Sequence, residues 1–318
     1  CHSDGFVREA AVRALSERRD GAEVAPLLLR RNDWVPAVRD TAAEALQARL
    51  TIDYAPHLLR CLVLLEQLAA QRRAEHGPYC AAALDLLRSA EAAPALRAAL
   101  STPDRRARRA AFRLAADSQG LPLRQVLDQA LSDRDLVVRL WAARTARARL
   151  YGPALREVLA QARGDRGVPV RREVLAAFLD DYPELRRALF DRCAGLRHMA
   201  RHYLSKKAHI DYAALYREAL SAPRSTERAV AAAGIGETGG PGDADALAPL
   251  CADASARVRK AALRALGRVG PEEHAGALLT ALRDTDSTPG TRRAALEALR
   301  AMLPRVSDPD IARVVLPA

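Results

Sequence analysis

The stretch Asp253-Ala254-Ser255-Ala256-Arg257-Val258-Arg259-Lys260-Ala261-Ala262-Leu263-Arg264-Ala265-Leu266-Gly267 decides the fold. With Arg259 as origin, the apolar residues Val258, Ala262, Leu263 and Leu266 fall at −1, +3, +4 and +7. That is the stripe of an amphipathic helix. The same phrase recurs at Val7-Arg8, Val38-Arg39, Val138-Arg139 and Val170-Arg171, with weaker copies at Ala107-Arg108, Leu196-Arg197, Glu227-Arg228 and Thr291-Arg292. Most steps between these arginines are 31 to 33 residues, one is 26 and one is 69. The long gap holds a degenerate copy, Pro78 to Ala83, with Tyr79 in the arginine slot.

Position +3 is alanine in nine of the ten units and Val174 in the other, which lets neighbouring helices approach closely. A second helical pattern precedes each phrase, as in Val24 to Leu29 and Leu123 to Leu127. Each unit therefore reads as two helices joined by a tight turn. One pair cannot bury its own apolar face, but stacked pairs share a continuous core. The expected fold is all-α: a right-handed α-α superhelix of about ten helical pairs, forming a single solenoid over 1–318.

These phrases resemble the HEAT-repeat family, in particular its short bacterial phycobilisome-lyase-like form with an armadillo-type fold. An aspartate stands six residues before the arginine at Asp33, Asp133, Asp165, Asp191, Asp253 and Asp286. The resemblance implies that this Asp and Arg form rungs bonding successive repeats. That role is carried over to Asp33/Arg39, Asp133/Arg139, Asp165/Arg171, Asp191/Arg197, Asp253/Arg259 and Asp286/Arg292. The units of Tyr79, Arg108 and Arg228 depart from the pattern. A family of this kind serves many purposes, so the resemblance bears on architecture and leaves function open.

Composition agrees with the repeat. Among 318 residues, 49% are hydrophobic and only 4% aromatic, as helices packed through small residues require. No apolar run approaches the ~20 residues of a membrane span. Cys1, Cys61, Cys80, Cys193 and Cys251 are odd in number and widely spaced. They read as free thiols of a reducing, cytoplasmic compartment rather than a disulfide or zinc framework. The chain opens at Cys1 without Met or signal region. There is no room for a helix before the one holding Arg8, and Asp308 to Leu316 reads as a helix without its partner. A longer protein is expected.

The third unit has an extended first helix, from roughly Ala55 to Ala74, read as a tolerated insertion. Gly234, Gly236, Gly239, Gly240 and Gly242 superficially suggest a phosphate loop, but no Lys-Ser/Thr follows them. Gly236 and Gly239 align with Gly267 and Gly270, and are expected where helices end in a left-handed turn.

Catalytic and metal chemistry find little support. His198 and His202 stand at i and i+4, near His209 and Asp211, but Arg197, Arg201, Lys206 and Lys207 surround them. Solvated histidines in a basic patch are expected, with no metal and no cofactor. No histidine is followed by Glu, so the deoxyhypusine hydroxylase branch of HEAT-like enzymes is not expected. Bacterial alkylpurine DNA glycosylases, a HEAT-like branch, use tryptophans with an aspartate. Here Trp141 falls at packed position +2 and Trp34 in a turn, so that reading is a distant third.

The informative feature is charge. The net charge is +11, and 47 of the 50 basic residues are arginine. Positions +1, +5 and +9 of the second helices lie opposite the apolar stripe, and by the resemblance they line a concave surface. From the fourth unit onward they hold Arg109, Arg113, Arg144, Arg172, Lys206, Lys260, Arg264, Arg268 and Arg293, with His198 and His202. Only Asp117, Asp180, Glu237 and Glu297 oppose them. In the first two units the same positions are mainly acidic, with Glu9, Arg13, Glu17, Asp40 and Glu44. The expected function is a non-catalytic protein-interaction scaffold that binds an acidic protein segment along this basic surface. The alternative is a nucleic-acid-binding solenoid gripping duplex phosphates. Asn32 is the only asparagine, so armadillo-type capture through an asparagine ladder is not expected.

Overall fold

The computed structural model describes residues 2–71, 76–207 and 209–305. Cys1, the end of the expected long helix at Ala74, and the helix expected at Asp308–Leu316 lie outside them. Among the described residues there is no strand. The chain divides into two compact units, 1–174 and 175–318.

Residues 1–174 hold α1 (Gly5–Glu17), α2 (Val24–Arg30), α3 (Pro36–Gln47), α4 (Ala55–Arg60), α5 (Leu62–Ala69), α6 (Gly77–Arg88), α7 (Ala93–Ala99), α8 (Arg105–Ala115), α9 (Leu123–Leu131), α10 (Leu136–Arg149) and α11 (Gly152–Ala160). The division falls inside α12 (Val168–Ala176). Residues 175–318 continue with α13 (Tyr182–Ala188), α14 (Ala194–Ser205), α15 (Tyr212–Ala219), α16 (Ser225–Thr238), α17 (Ala244–Leu247), α18 (Ala256–Val269), α19 (Ala275–Arg283) and α20 (Pro289–Met302). The ten expected second helices are α1, α3, α6, α8, α10, α12, α14, α16, α18 and α20.

Local chemistry starts these helices. Asp104, Asp135 and Asp211 cap α8, α10 and α15 by accepting from backbone N–H groups of the first turn. Proline opens α3, α6 and α20, where its missing N–H costs nothing. Packing then follows the stripe. Val38, Val138, Val170 and Val258 at −1 are buried, as are Ala42, Ala142, Ala231, Ala262 and Ala295 at +3. First helices flank the second, α2 on α3, α9 on α10 and α19 on α20, while α16, α18 and α20 stack in succession. Val7, the same position on α1, is 45% exposed because no first helix precedes α1 among the described residues.

Three sets of expectations require correction. The third unit's first helix is not continuous: it breaks at Cys61 into α4 and α5, with Cys61 at φ −98° and ψ 10°. Its second helix buries Tyr79, Cys80, Ala83 and Leu87. The register therefore lies one residue later, and Cys80 rather than Tyr79 occupies the arginine slot.

The glycine expectation also fails. Gly236 and Gly267 lie inside α16 and α18, and Gly239 and Gly270 follow those helices with negative φ (−82° and −70°). A Cβ on Gly236 would stand 2.8 Å from Ala265 Cα, and one on Gly267 2.5 Å from Ala298 Cα. These glycines permit backbone-to-backbone stacking of consecutive second helices; they do not turn the chain.

The third correction concerns the rungs. Four of the arginines pair with the aspartate of the following unit. Arg8 Nε lies 2.9 Å from Asp33, Arg108 2.9 Å from Asp133, Arg139 2.7 Å from Asp165 and Arg228 2.9 Å from Asp253. Within its own unit, the arginine's Nη1 donates instead to a backbone carbonyl: Arg39 to Asp33 O, Arg139 to Asp133 O, Arg259 to Asp253 O. The aspartate also accepts the N–H two residues on, as Asp33 does from Val35 and Asp253 from Ser255. One residue pair thus shapes the turn, ties the helix to it and joins two repeats. Arg108 and Arg228 form rungs although their own units lack the aspartate, because the partner comes from the next unit.

Among the described residues no ion pair joins Arg259 to Asp286 of the following unit. Arg259 Nε has no hydrogen-bond partner, and Asp286 is exposed, while Asp284 accepts from the Asp286 N–H and the Ser287 hydroxyl. Arg197 faces a unit with Ala222 at the aspartate position. There Glu237 of α16 substitutes, pairing with both Arg197 and Arg201, the latter at 2.9 Å. Burial pushes the Glu237 carboxyl up, but the hydrogen bonds and charges of Arg197 and Arg201 outweigh it and hold it below the usual range.

The pH consequence has a definite sign. A carboxyl with a lower pKa folded than unfolded contributes stability above its unfolded value, about 4.3 for Glu. That contribution is lost as pH falls through the folded value. Glu237→Gln is expected to cost about 2 kcal/mol at neutral pH. It is also expected to flatten the fall in stability below about pH 4. Urea melts across that range check both; an unchanged acid limb would show that Glu237 does not govern it.

Candidate interaction surfaces

The second-helix stripe is built as the sequence suggests, but its charge is largely answered in 1–174. Arg109 Nε lies 2.7 Å from Asp135, Arg113 2.8 Å from Glu66 of α5 and Arg144 2.8 Å from Glu173, which also takes Arg147 at 3.1 Å. The hydrogen bond from Arg109 holds the Asp135 carboxyl below its ordinary value against the opposing effect of burial. Arg172 is exposed and makes no ion pair among the described residues. In the first two units, Glu9 is taken by Arg13 at 2.6 Å.

Asp135, Glu66 and Glu173 carry no signal in the sequence pattern because none occupies +1, +5 or +9. A helical wheel assigns a face; it does not show which acid on a neighbouring helix reaches that face. Conversely, two acids expected to oppose the stripe are drawn elsewhere. Asp117 pairs with Arg149 at 2.7 Å, and Asp180 with Lys207 at 3.2 Å. These two cations share position +10 with Arg49. All three reach back to carbonyls near the end of the preceding second helix: Arg149 to Ala116 O, Lys207 to Asp180 O and Arg49 to Ser16 O. Cations there complement the helix dipole.

In 175–318 the stripe keeps more of its charge. His198, His202 and Lys206 of α14 are exposed, with Lys206 Nζ 4.9 Å from the Tyr203 ring centroid. The intervening α16 contributes Ala229, Ala233 and the already engaged Glu237. On α18, Lys260 is half-buried and Arg264 and Arg268 are exposed. Arg264 and Arg293 share a single acid, Glu297, at 3.1 and 2.9 Å. Exposed pairs of this kind are worth about 0.2–1 kcal/mol each and open readily to a competing carboxylate.

Other candidates are placed plainly. Trp34 is 68% exposed, with the Arg8 guanidinium 4.0 Å from its ring centroid, while Trp141 is half-buried 6.3 Å from Phe112. Asp33, beside Trp34, is committed to Arg8 and Arg30. Cys61 and Cys80 are buried thiols, and burial pushes Cys251 up to about 12, so these sulfurs are weak nucleophiles at neutral pH. Among the described residues no group of three His, Cys, Asp or Glu side chains could hold a metal, and no helix is long and apolar enough to cross a membrane.

Stacked helical pairs tied by repeating Asp–Arg rungs define a helical-repeat protein. Residues 212–300 match the family model described as HEAT repeats, so the chain contains HEAT repeats from α15 through most of α20. Comparison with curated proteins yields no match. Similar solved structures include importin beta, at 13% identity and TM-score 0.39 over 96% of this chain and 54% of that one. Kap95p, described as inducing the switch loops of RanGDP to adopt the GTP-bound conformation, aligns at 14% and 0.41 over 96% and 48%. Human deoxyhypusine hydroxylase in complex with glycerol aligns at 18% and 0.31 over 94% and 98%.

Proposed function

We propose that this chain is a non-catalytic protein-interaction scaffold that holds an acidic protein segment against the second-helix face of 175–318. HEAT-repeat folds typically serve as such scaffolds, presenting extended surfaces to partners. One observation carries the reading. His198, His202 and Lys206, then Lys260, Arg264 and Arg268, then Arg293 repeat at the same helix positions. Among the described residues, the acids of that stripe are Asp180, drawn to Lys207 outside the stripe, Glu237, held by Arg197 and Arg201, and Glu297, which Arg264 and Arg293 share. Arginine forks and a lysine in this arrangement suit carboxylates. The exposed ion pairs to Glu297 are ones a partner's carboxylate can replace.

The test is anisotropy with a labelled poly-glutamate peptide at low and moderate salt. Wild-type protein is expected to bind and to weaken with salt. Lys260→Glu/Arg264→Glu is expected to bind about tenfold more weakly, through lost attraction and new repulsion. Equal affinity of variant and wild type would sink the proposal. Binding to mixed-sequence duplex DNA in preference to the peptide would favour phosphate recognition by the same cations instead.

A further inference from the structure

A second cationic surface lies on a different edge, formed by the turns that join first and second helices in 1–174, outside the stripe positions. Arg134 and Arg166 occupy the same place in consecutive turns, five residues before Arg139 and Arg171, and both are exposed. Arg134 Nη2 donates to Pro103 O at 3.3 Å, the carbonyl of the equivalent residue one turn earlier. Arg166 Nη2 donates to Arg134 O at 2.8 Å. Each guanidinium thus bridges one turn to the preceding one, and the turns are held in register. Arg105 and Arg106, exposed at the start of α8, extend the row.

None of these four arginines makes an ion pair among the described residues, whereas the nearby acids are already engaged. Asp133 and Asp165 are bound in rungs to Arg108 and Arg139. Asp135 pairs with Arg109, and Asp104 accepts the N–H groups of Arg106 and Ala107 as the α8 cap. The edge therefore carries uncompensated guanidiniums one repeat apart, while the second-helix face of the same unit is largely neutralised. Elsewhere the position reads Ser3, Trp34 and Pro103 in 1–174, and Arg192, Pro223, Ala254 and Ser287 in 175–318.

We propose that this turn edge, through Arg105, Arg106, Arg134 and Arg166, binds an extended acidic peptide whose carboxylates recur at every third residue. The spacing argument is metric. Stacked helices lie ~8–10 Å apart, so consecutive turns are separated by about that distance. A peptide in the extended polyproline II helix rises ~3.1 Å per residue with three residues per turn, so every third side chain points the same way and advances ~9 Å, meeting one turn after another. A guanidinium that commits one Nη2 to a carbonyl keeps donors for a carboxylate fork. The exposed aromatic at the same turn position, Trp34, lies two units earlier with the Arg8 guanidinium 4.0 Å from its ring centroid. Among the described residues the turns that hold Arg134 and Arg166, and the one that leads into Arg105, carry no exposed aromatic on which bases could stack.

The experiment uses the whole chain and two labelled Ser/Gly peptides of equal glutamate content, one with Glu at every third position and one with the glutamates contiguous. The spaced peptide is expected to bind severalfold tighter than the block peptide. Arg134→Glu/Arg166→Glu is expected to weaken the spaced peptide about tenfold and to erase the preference for spacing. Both side chains are exposed, and an unchanged thermal melt confirms that the fold survives. Lys260→Glu/Arg264→Glu is expected to leave the spacing preference intact, which separates this edge from the surface proposed above. Equal binding of the two peptides, or an edge variant that behaves as wild type, overturns the proposal. Tighter binding of duplex DNA than of the spaced peptide, lost in the same edge variant, overturns the choice of partner.

Discussion

Glu23→Gln is expected to lower the unfolding free energy by about 3–5 kcal/mol, the range for breaking a buried ion pair from one side. Glu23 and Arg49 form a deeply buried pair, at 0% and 1% exposure. Arg49 Nε donates to Glu23 at 2.8 Å, its Nη1 to Ala45 O at 2.6 Å, and its Nη2 to Ser16 O and Arg18 O at 3.0 and 2.6 Å. The Tyr54 hydroxyl donates to the same Glu23 oxygen at 3.0 Å. Burial pushes the Glu23 carboxyl up, but bonds from Arg49 and Tyr54 bring it below its usual value. Glutamine keeps the shape and leaves Arg49 as an uncompensated charge in a dry site. Chemical denaturation measures the loss; a change under about 1 kcal/mol would mean that water reaches Arg49. Replacing both residues with apolar ones of similar volume is expected to recover much of the stability, since such pairs contribute less than their breakage costs.

Gly267→Ala is expected to destabilise by about 3 kcal/mol, against the ordinary gain of about 1 kcal/mol for this change inside a helix. The new methyl would meet Ala298 Cα at 2.5 Å, its carbonyl O at 2.6 Å and its Cβ at 2.7 Å. Two of these are backbone atoms of α20, so relief requires moving a whole helix. A methyl added at Gly276, in α19, would meet nothing within 4 Å, and that position serves as the control. Gly276→Ala is expected to stabilise by about 0.5–1 kcal/mol. Thermal melts of the two variants must move in opposite directions if close backbone packing is what requires Gly267.

Much of the fold is legible in the sequence. All ten second helices occur where the Val-Arg phrase places them, because the stripe at −1, +3, +4 and +7 is a local property of a helix with 3.6 residues per turn. The third unit reads one residue early. Pro78-Tyr79-Cys80-Ala81-Ala82-Ala83 offers three consecutive alanines, and only the buried set of Cys80, Ala83 and Leu87 chooses between registers. The interaction surfaces are less legible. The stripe arginines are where the pattern puts them, yet Arg113 meets Glu66 from 47 residues away, a pairing no periodicity announces. Arg134 and Arg166 do carry a signal, the recurrence of arginine five residues before the slot, but the abundance of arginine elsewhere obscures it.

The sequence by itself determined the repeat, the helices and, except in the third unit, the face each one buries, since these depend on residues within one or two turns of each other. Only the tertiary structure decided that Arg8 takes Asp33 while Arg39 takes the Asp33 carbonyl, that Glu237 stands in for a missing aspartate, and that Gly236 and Gly267 serve close approach. It likewise decided which arginines remain unanswered by acids. The reason is reach: stacked helices lie ~8–10 Å apart, within the span of arginine and glutamate, so partners are chosen by how helices stack rather than by where residues fall along the chain.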